Sequence, residues 1–494
     1  MLRDHLLDRV DQDGALRDPC RSRVLESALL LALLDRTQFE PSARSRLAAY
    51  LSGHHDSPTP LDRVLARTVL RSRSPVDDLF DVDEFLAEAP DFTGARKQAL
   101  LQAILLPLGA PVTDNIPDPD AFSLEGLHIW ARVQVTAVKI ILAHAYGRTS
   151  SIQGSDLALL HSTQRTGTVW EGNFLIHLSV LHALAPLPGE QRLVADGIRT
   201  ALEHQRADGG IPFIRDEDTW VTATAGLALH VAGAPQPVLD AVAHHLLALQ
   251  RPGGGWSYTE TARLEDADCT SVAVEFLHLT GPDTHLGPIR RGIAALLALR
   301  NQDGGFPTYL AGAPSEASMT AAVANALSTQ GAALHAEVSS ALAFIATQQR
   351  RDGSFPPDWS SSRMHTVFRA ILAAARLPEA GALDTAAQRI TQHATRLVCN
   401  SQNADGGWGQ QDGHPSDALS TAYALIALAN TDCDPGPMSR GAARLLTWQR
   451  TDGSIAGIPD SIGPRPFTFS VPILVDIFTL LALGHLTQRI THSR

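Results

Sequence analysis

The sequence predicts an all-α protein with two helical domains of the α/α-barrel type, and three observations support this. Apolar residues recur with the 3.6-residue period of amphipathic helices along most of the chain. No convincing run alternates apolar and polar residues as a half-buried strand would. A glycine turn also recurs at nearly regular intervals in the second half, which is typical of repeat architectures.

The recurring turn follows the pattern Q-x-x-D-G, with small departures. Its six copies are QRADGG at Gln205, QRPGGG at Gln250, RNQDGG at Arg300, QRRDGS at Gln349, QNADGG at Gln402 and QRTDGS at Gln449. The second copy lacks the aspartate and the third lacks the glutamine. The glycines at the fifth position recur every 45 to 53 residues. Glycine suits a turn that requires positive φ, and a preceding aspartate suits the same turn chemistry.

Helical patterns lie between these turns. PVLDAVAHHLLALQ (237–250) starts with proline, SDALSTAYALIALAN (416–430) starts with a capping pair, and MSRGAARLLTWQR (438–450) is amphipathic. Each repeat therefore predicts two helices around a glycine turn. Six such pairs can close into a barrel of inner and outer helices, and the alanine-rich helices suit close packing around the axis.

Three segments are expected along the chain. Residues 1–20 form an N-terminal segment associated with the larger domain. Residues 21–189 form a smaller helical domain whose repeats are degenerate, and residues 190–494 form the barrel that contains the clear repeats. The boundary is placed near PLPGE (186–190), where proline and glycine interrupt the helical pattern.

Composition excludes several classes of function. The net charge is −12, and no basic run interleaved with aromatics suggests nucleic-acid binding. Four widely separated cysteines match no metal spacing and suit a reducing compartment. The charged N-terminus lacks a signal-peptide core, and no run of about 18 apolar residues predicts a membrane span. We therefore expect a cytoplasmic protein, with a homodimer as an open alternative to a monomer.

The stretch RLEDADCTS (263–271) concentrates three carboxylates in four residues and then leads into an apolar helical run. One interpretation is a helix start, since aspartate, threonine and serine are good N-caps and early acids favour the helix dipole. The other interpretation is an acid catalyst.

The glycine turns and this D-x-D-x-T stretch together resemble the class II terpene cyclases, the family that includes squalene–hopene cyclases and bacterial class II diterpene cyclases. The segment PGGGWSYTETARLEDADCTS (252–271) is similar to the family's glycine turn, short insertion and acidic motif, in that order. The resemblance covers most of the chain and is strongest from Gln205 onward. It implies two helical domains and an enzyme that starts cyclisation by protonating an alkene.

The resemblance assigns roles within the acidic motif. Asp268 matches the family's proton donor. Asp266 matches the first acid of the motif and would share a proton network with Asp268. Cys269 replaces the acid that usually follows the donor. An acid in an apolar cavity is weakened because burial disfavours its anion, so hydrogen-bond donors are needed around it. We expect the helix N-terminus and the Cys269, Thr270 and Ser271 groups to supply them.

Cyclisation also requires a cavity that stabilises cations, and aromatic faces do this. Trp220, Trp359 and Tyr258 are the candidate substrate-binding aromatics. Trp408 and Trp256 follow repeat glycines, and for them packing of the turn competes with a place in the cavity.

The chain is shorter than squalene-type cyclases, and only 5% of its residues are aromatic. Both points favour a short cascade on a linear prenyl diphosphate, geranylgeranyl diphosphate first and farnesyl diphosphate next, with squalene or another free isoprenoid as the alternative. The resemblance is to bacterial cyclases that have these two helical domains without the further domain that ionises diphosphates, so the diphosphate should be retained in a mono- or bicyclic product. The candidate diphosphate ligands are Arg132, Lys139, Arg363 and Arg263. Mg²⁺ is the expected cofactor, with Glu171 as its candidate ligand.

Two other classes remain open. A zinc-dependent prenyltransferase subunit shares the barrel but needs an Asp, Cys and His set, which Cys399 and Cys433 do not obviously supply. A non-catalytic α/α-barrel binding protein would leave the acid cluster unexplained.

Overall fold

The structure, a computed structural model, describes residues 1–71, 85–87, 94–109, 117–376 and 385–492. The chain divides into two compact units. The first consists of Met1–Asp18, Glu217–Ile462 and Val471–Arg494, and the second consists of Pro19–Asp216 and Gly463–Ser470. Regular structure in the described residues is almost entirely helical, as the absence of strand patterns predicts.

Six inner helices of the first unit form a closed ring. They are α10 (Asp218–Val231), α12 (Ala267–Thr280), α14 (Ala317–Ser328), α16 (Met364–Ala375), α18 (Ala418–Ala429) and α20 (Leu474–His492). Each helix packs against the next in this order, and α20 packs against α10. The predicted barrel is therefore present, although its last inner helix lies beyond the last repeat turn.

Six outer helices surround this ring. They are α1 (Leu2–Asp8), α11 (Gln236–Leu249), α13 (Leu286–Ala298), α15 (His335–Gln348), α17 (Thr385–Asn400) and α19 (Pro435–Leu446). The N-terminal helix α1 packs against α20 and α10 and so completes the outer layer.

The difference between inner and outer helices follows from their sequences. Every residue of α18 is buried, because its sequence ALSTAYALIALA is apolar or small on all sides. In contrast, α11 buries Leu239, Val242, Ala243 and Leu246, which lie on one face at helical spacing. Small alanines in the inner helices allow close packing around the axis.

The repeat turns have the predicted backbone. All six fifth-position glycines have positive φ, between 83° and 99°. The glutamine at the first position explains the rest of the pattern, since Gln250 Nε2 donates a hydrogen bond to the Gly254 carbonyl (2.7 Å). The same bond forms in the copies that begin at Gln205, Gln349, Gln402 and Gln449.

The second unit contains eight helices in its described residues, and four of them, α2, α5, α6 and α8, pack in a closed ring. The eight are α2 (Val24–Thr37), α3 (Pro41–Ser52), α4 (Pro60–Val69), α5 (Gly94–Leu108), α6 (Ile129–Ala145), α7 (Gly154–Thr163), α8 (Phe174–Leu184) and α9 (Gln191–Leu202). The second unit also has short 3₁₀ helices at Pro119–Phe122, Thr149–Ser151 and Trp170–Gly172, and the first unit has one at Gly331–Leu334. Two strands of two residues each are β1 (Ser461–Ile462) and β2 (Thr468–Phe469).

The predicted domain boundary was placed where the helical pattern breaks, near residue 190. By contacts, helix α9 and the first repeat turn belong with the second unit, whereas Met1–Asp18 belongs with the barrel. The assignment of the two segments as functional domains stays a prediction. No helix in the described part of the chain is both long enough and apolar enough to cross a membrane.

Candidate active site

The three carboxylates of the acidic stretch have three different partners. Glu265 accepts hydrogen bonds from the backbone N–H groups of Gly253 and Gly255, both at 2.9 Å. In the other turns an aspartate of the turn itself makes the second of these bonds, as Asp303 does to the N–H of Gly305 (2.9 Å). Glu265 therefore replaces the aspartate that the second copy lacks.

Asp266 caps the inner helix α12. Its Oδ1 accepts from the N–H of Cys269 (2.7 Å), as Asp417 accepts from Ser420 at the start of α18 (2.8 Å). Burial raises the pKa of Asp266 to about 7, against the opposing effect of its hydrogen bonds from Cys269. Asp266 thus carries a proton in part of the molecules near neutral pH, and its predicted part in a proton network stays a prediction.

The Cys269 thiol is buried at the start of α12. Burial, followed by the charges of Asp266 and Asp268, raises the pKa of Cys269 well above its ordinary value, so the group stays a neutral thiol. Its expected donation to Asp268 stays a prediction.

Thr270 holds the preceding turn. Its Oγ1 accepts from the N–H of Trp256 (3.0 Å), and Thr320 and Thr421 accept in the same way from Phe306 (2.9 Å) and Trp408 (3.0 Å). This bond recurs in repeats that carry no acidic motif. The structure therefore gives Thr270 a structural role in the turn, and its expected donation to Asp268 stays a prediction.

We expect Thr270→Val to lower the free energy of unfolding by about 1–3 kcal/mol, because the buried N–H of Trp256 loses its acceptor. Turnover should stay near wild type. Thr421→Val is the matched control, since it removes the same bond from another repeat. Chemical denaturation and kcat measured on both variants check this. A large loss of kcat in Thr270→Val but not in Thr421→Val would show that Thr270 takes part in catalysis.

Asp268 lies in the first turn of α12 and forms a partly buried ion pair with Arg369 of α16. Arg369 Nη2 donates to Asp268 Oδ2 (3.1 Å), and Nη1 lies 2.8 Å from Oδ1, at an angle that makes no second hydrogen bond. The Asp268 side chain is 17% exposed and the Arg369 side chain is 6% exposed. Burial alone would lower the pKa of Arg369, but the charge of Asp268 and its hydrogen bond outweigh burial and raise it. The guanidinium thus stabilises the Asp268 carboxylate.

A second ion pair joins the same two helices. Arg376, at the end of α16, bonds to Glu275 of α12, and both partners lie seven residues beyond Arg369 and Asp268. Because α14 lies between α12 and α16 in the ring, both pairs reach past its short side chains. The chain therefore contains an internal control for the Asp268–Arg369 pair.

Four inner helices contribute rings to one aromatic cluster, which we call the aromatic wall: Trp220 (α10), Phe368 (α16), Tyr423 (α18) and Phe478 (α20). Phe368 stacks on Tyr423 with centroids 5.0 Å apart. Phe478 lies 4.8 Å from Tyr423 and 6.2 Å from Trp220. Since Phe368 directly precedes Arg369, the wall is adjacent to the ion pair along α16. Such rings can stabilise a cation through their faces.

The remaining candidate aromatics differ in their positions. Trp359 is half-buried, with its ring 6.2 Å from that of Tyr309. Tyr258 is half-buried, and its carbonyl accepts from the N–H of Trp220 (3.4 Å). Trp256 and Trp408 are fully buried, and their indole N–H groups donate to outer-helix carbonyls, both at 2.7 Å. The last two therefore pack the turns, and among the ring contacts described here Trp220 is the member of the predicted set that joins the wall.

The predicted anion ligands do not form one cluster. In the first unit, Arg363 pairs with Asp412 and Arg263 is exposed. In the second unit, Arg132 is exposed, whereas Lys139 donates to Asp156 at 2.6 Å. Both Arg363 and Lys139 therefore already have carboxylate partners, and their roles as diphosphate ligands stay predictions.

Glu171, the predicted magnesium ligand, is buried in the second unit. Its Oε2 accepts from the indole N–H of Trp130 (3.0 Å), and its backbone has a φ of 54°. Within the described residues no three His, Cys, Asp or Glu side chains are grouped to hold a metal. A diphosphate-bound Mg²⁺ needs only one or two carboxylates in addition to phosphate and water, so a single glutamate fits that limited role.

Sequence reasoning missed Arg369, Phe368, Tyr423 and Phe478. One signal was available for the arginine. Its helix, MHTVFRAILAAA, is otherwise largely apolar, and a charged residue inside such a run must be paired when buried. The aromatics gave no comparable signal, because single rings in apolar helices also occur as ordinary core residues.

The fold and the site together define an α/α barrel with an acid–arginine pair and an aromatic wall inside it, and comparison with known proteins identifies the family. Residues 310–488 match the squalene–hopene cyclase C-terminal domain family. The chain is 39% identical to drimenyl diphosphate synthase from Streptantibioticus cattleyicolor, over 98% of this chain and 93% of that protein. It is 37% identical to drimenyl diphosphate synthase from Streptomyces showdoensis, over 97% and 92%. The chain belongs to the class II terpene cyclases.

A solved structure supports the fold. Ent-copalyl diphosphate synthase from Streptomyces platensis superposes with a TM-score of 0.66 at 18% identity, over 98% of this chain and 99% of that one. The all-α architecture of two helical domains is therefore confirmed.

Proposed function

We propose that this enzyme cyclises a linear prenyl diphosphate by protonating its terminal alkene, and that farnesyl diphosphate is its preferred substrate. The observation that carries the proposal is the partly buried pair of Asp268 and Arg369 beside the aromatic wall. Asp268 is the proton donor. In three other inner helices the equivalent position, two residues before the threonine that accepts a backbone N–H, is not acidic. It is Trp220, Ser318 or Leu419, so the repeat itself does not require an acid there.

The first chemical step moves one proton. Protonated Asp268 gives its proton to the alkene, whose π electrons form the new C–H bond and leave a tertiary cation. Arg369 stabilises the carboxylate that remains, which favours transfer because the anion is formed in the transition state. The faces of Phe368, Tyr423 and Phe478 stabilise the cation while the rings close.

The relatives' names favour the shorter substrate. The two drimenyl diphosphate synthases cover nearly the whole chain. A drimenyl group is a bicyclic fifteen-carbon skeleton, so its linear precursor is farnesyl diphosphate. This reverses the order expected from length and composition, which placed geranylgeranyl diphosphate first. Those quantities limit the size of the cascade but do not measure the depth of the cavity.

The diphosphate is retained in this proposal, because the product names of the relatives keep it. Mg²⁺ bound to the diphosphate would neutralise part of its charge, with Glu171 as the candidate protein ligand. The protein's part is to hold the chain so that its terminal alkene meets Asp268.

Incubation with farnesyl diphosphate, geranylgeranyl diphosphate and squalene tests this function. We expect a cyclic C15 diphosphate, which phosphatase converts to a cyclic alcohol detected by mass spectrometry. The highest kcat/KM should belong to farnesyl diphosphate. Asp268→Asn serves as the blank. A hydrocarbon formed together with free pyrophosphate would contradict retention of the diphosphate, and faster turnover of geranylgeranyl diphosphate or squalene would contradict the substrate assignment.

A further inference from the structure

The reaction must end by removing a proton, and a buried histidine lies beside the aromatic wall. His365 is 4% exposed and begins the face of α16 that also carries Phe368 and Arg369. Its ring centroid lies 5.7 Å from that of Phe368 and 5.4 Å from that of Tyr423. A cation held against these two rings is therefore close to the imidazole.

Asp358 fixes how this imidazole is protonated. His365 Nδ1 lies 2.8 Å from Asp358 Oδ2, which also accepts from the Thr366 hydroxyl, while Oδ1 accepts from the N–H of Ser360 (2.8 Å). Three hydrogen bonds to its oxygens favour the ionised form of Asp358. In the neutral imidazole, an ionised Asp358 holds the hydrogen on Nδ1, and the lone pair is then on Nε2.

Nε2 has no hydrogen-bond partner in the part of the chain that the structure describes. A buried imidazole with one nitrogen held by a carboxylate and the other unpartnered has the arrangement of a general base. We propose that His365 Nε2 removes the proton that ends the cyclisation, and that Asp358 is its positioning residue. This inference rests on the proposed function.

The step balances without a further reactant. The C–H bond next to the cationic carbon breaks, its electron pair becomes the product alkene, and the proton passes to Nε2. The imidazolium later returns this proton to solvent, and solvent reprotonates Asp268. The net reaction is an isomerisation.

The proposed base and the arginine that pairs with the acid lie on the same helix. His365 and Arg369 are four residues apart, which separates their backbones by about 6 Å along the axis of α16. Arg369 in turn contacts Asp268, so α16 contributes both to the group that begins the reaction and to the group that ends it.

Asp460 is the competing base. Its Oδ2 accepts from Ser360 Oγ (2.7 Å), its Oδ1 has no partner among the described residues, and burial raises its pKa to about 6. The Tyr423 hydroxyl also donates to Oδ2 (3.5 Å), but within the described residues no carboxylate orients Asp460 as Asp358 orients His365. The two candidates can be separated by experiment.

Product analysis of His365→Gln, Asp358→Asn and Asp460→Asn with farnesyl diphosphate tests the inference. A general base contributes about 10²–10⁴-fold to proton removal, so loss of His365 should let water capture and other deprotonations compete. We expect His365→Gln to convert a single alkene into a mixture of hydroxylated and isomeric products. Asp358→Asn should shift the products in the same direction, because the imidazole loses its orientation, and Asp460→Asn should keep the wild-type product.

An unchanged single product from folded His365→Gln would overturn the inference, as would a product shift in Asp460→Asn without one in His365→Gln. If the glutamine variant does not fold, His365→Phe keeps the ring volume and is judged by the same product ratio. A wild-type enzyme that makes no cyclic diphosphate would instead overturn the proposed function, so the two failures are distinguishable.

Discussion

Asp268→Asn is expected to fold normally and to lose turnover by about 10³-fold or more, because an amide cannot deliver the proton that starts the cascade. The asparagine keeps the shape of the side chain and can still contact Arg369. Steady-state kcat with farnesyl diphosphate and a thermal unfolding curve on the same preparation check both parts of the prediction.

Two neighbouring acids serve as controls for this variant. Glu275→Gln removes a carboxylate from the same helix and from an equivalent arginine pair. Asp266→Asn removes the capping acid while leaving Asp268 in place. If Asp268→Asn kept more than about a tenth of wild-type kcat, far above the residual activity expected without a general acid, Asp268 would be excluded as the donor.

Arg369→Gln is expected to lower kcat by about 10–150-fold, since a hydrogen bond to a charged group is worth about 1.5–3 kcal/mol and each 1.4 kcal/mol is tenfold. The loss should fall on kcat more than on KM, because the guanidinium acts most strongly on the carboxylate formed during proton transfer. Arg369→Lys should recover part of the activity by restoring the positive charge.

Arg376→Gln is the matched control, because this arginine joins the same two helices through Glu275, seven residues further along each. It should cost stability and leave kcat near wild type. Equal kcat losses in the two glutamine variants would mean that the arginine pairs only hold α12 to α16, and the role proposed for Arg369 in the chemistry would be wrong.

The sequence was sufficient for the architecture because the fold is a repeat. Each glycine turn and each apolar inner helix has local signals, and the closed ring follows from stacking them. The catalytic candidate Asp268 was also accessible, since it lies in a short motif at a helix start. What the motif could not reveal was the separate purpose of each acid. Glu265 compensates for a turn that lacks its aspartate, and that compensation is visible only when the turns are compared with one another.

The rest of the site depends on contacts between distant parts of the chain. Arg369 is 101 residues from Asp268, so no local pattern connects them. The same holds for the contacts of Thr270. This residue lies two positions after Asp268, yet its hydroxyl accepts from the Trp256 backbone, a contact that the acidic motif alone does not reveal. The aromatic wall likewise combines rings from four helices, each unremarkable within its own sequence.

Cyclisation of farnesyl diphosphate in D₂O tests the central claim most directly. Protonation by Asp268, which exchanges with solvent, should place one carbon-bound deuterium on the ring carbon next to the gem-dimethyl carbon. The product should retain its diphosphate until phosphatase is added. Mass spectrometry and NMR of the released alcohol give both results together. A cyclic product without carbon-bound deuterium, formed with release of pyrophosphate, would contradict initiation by protonation.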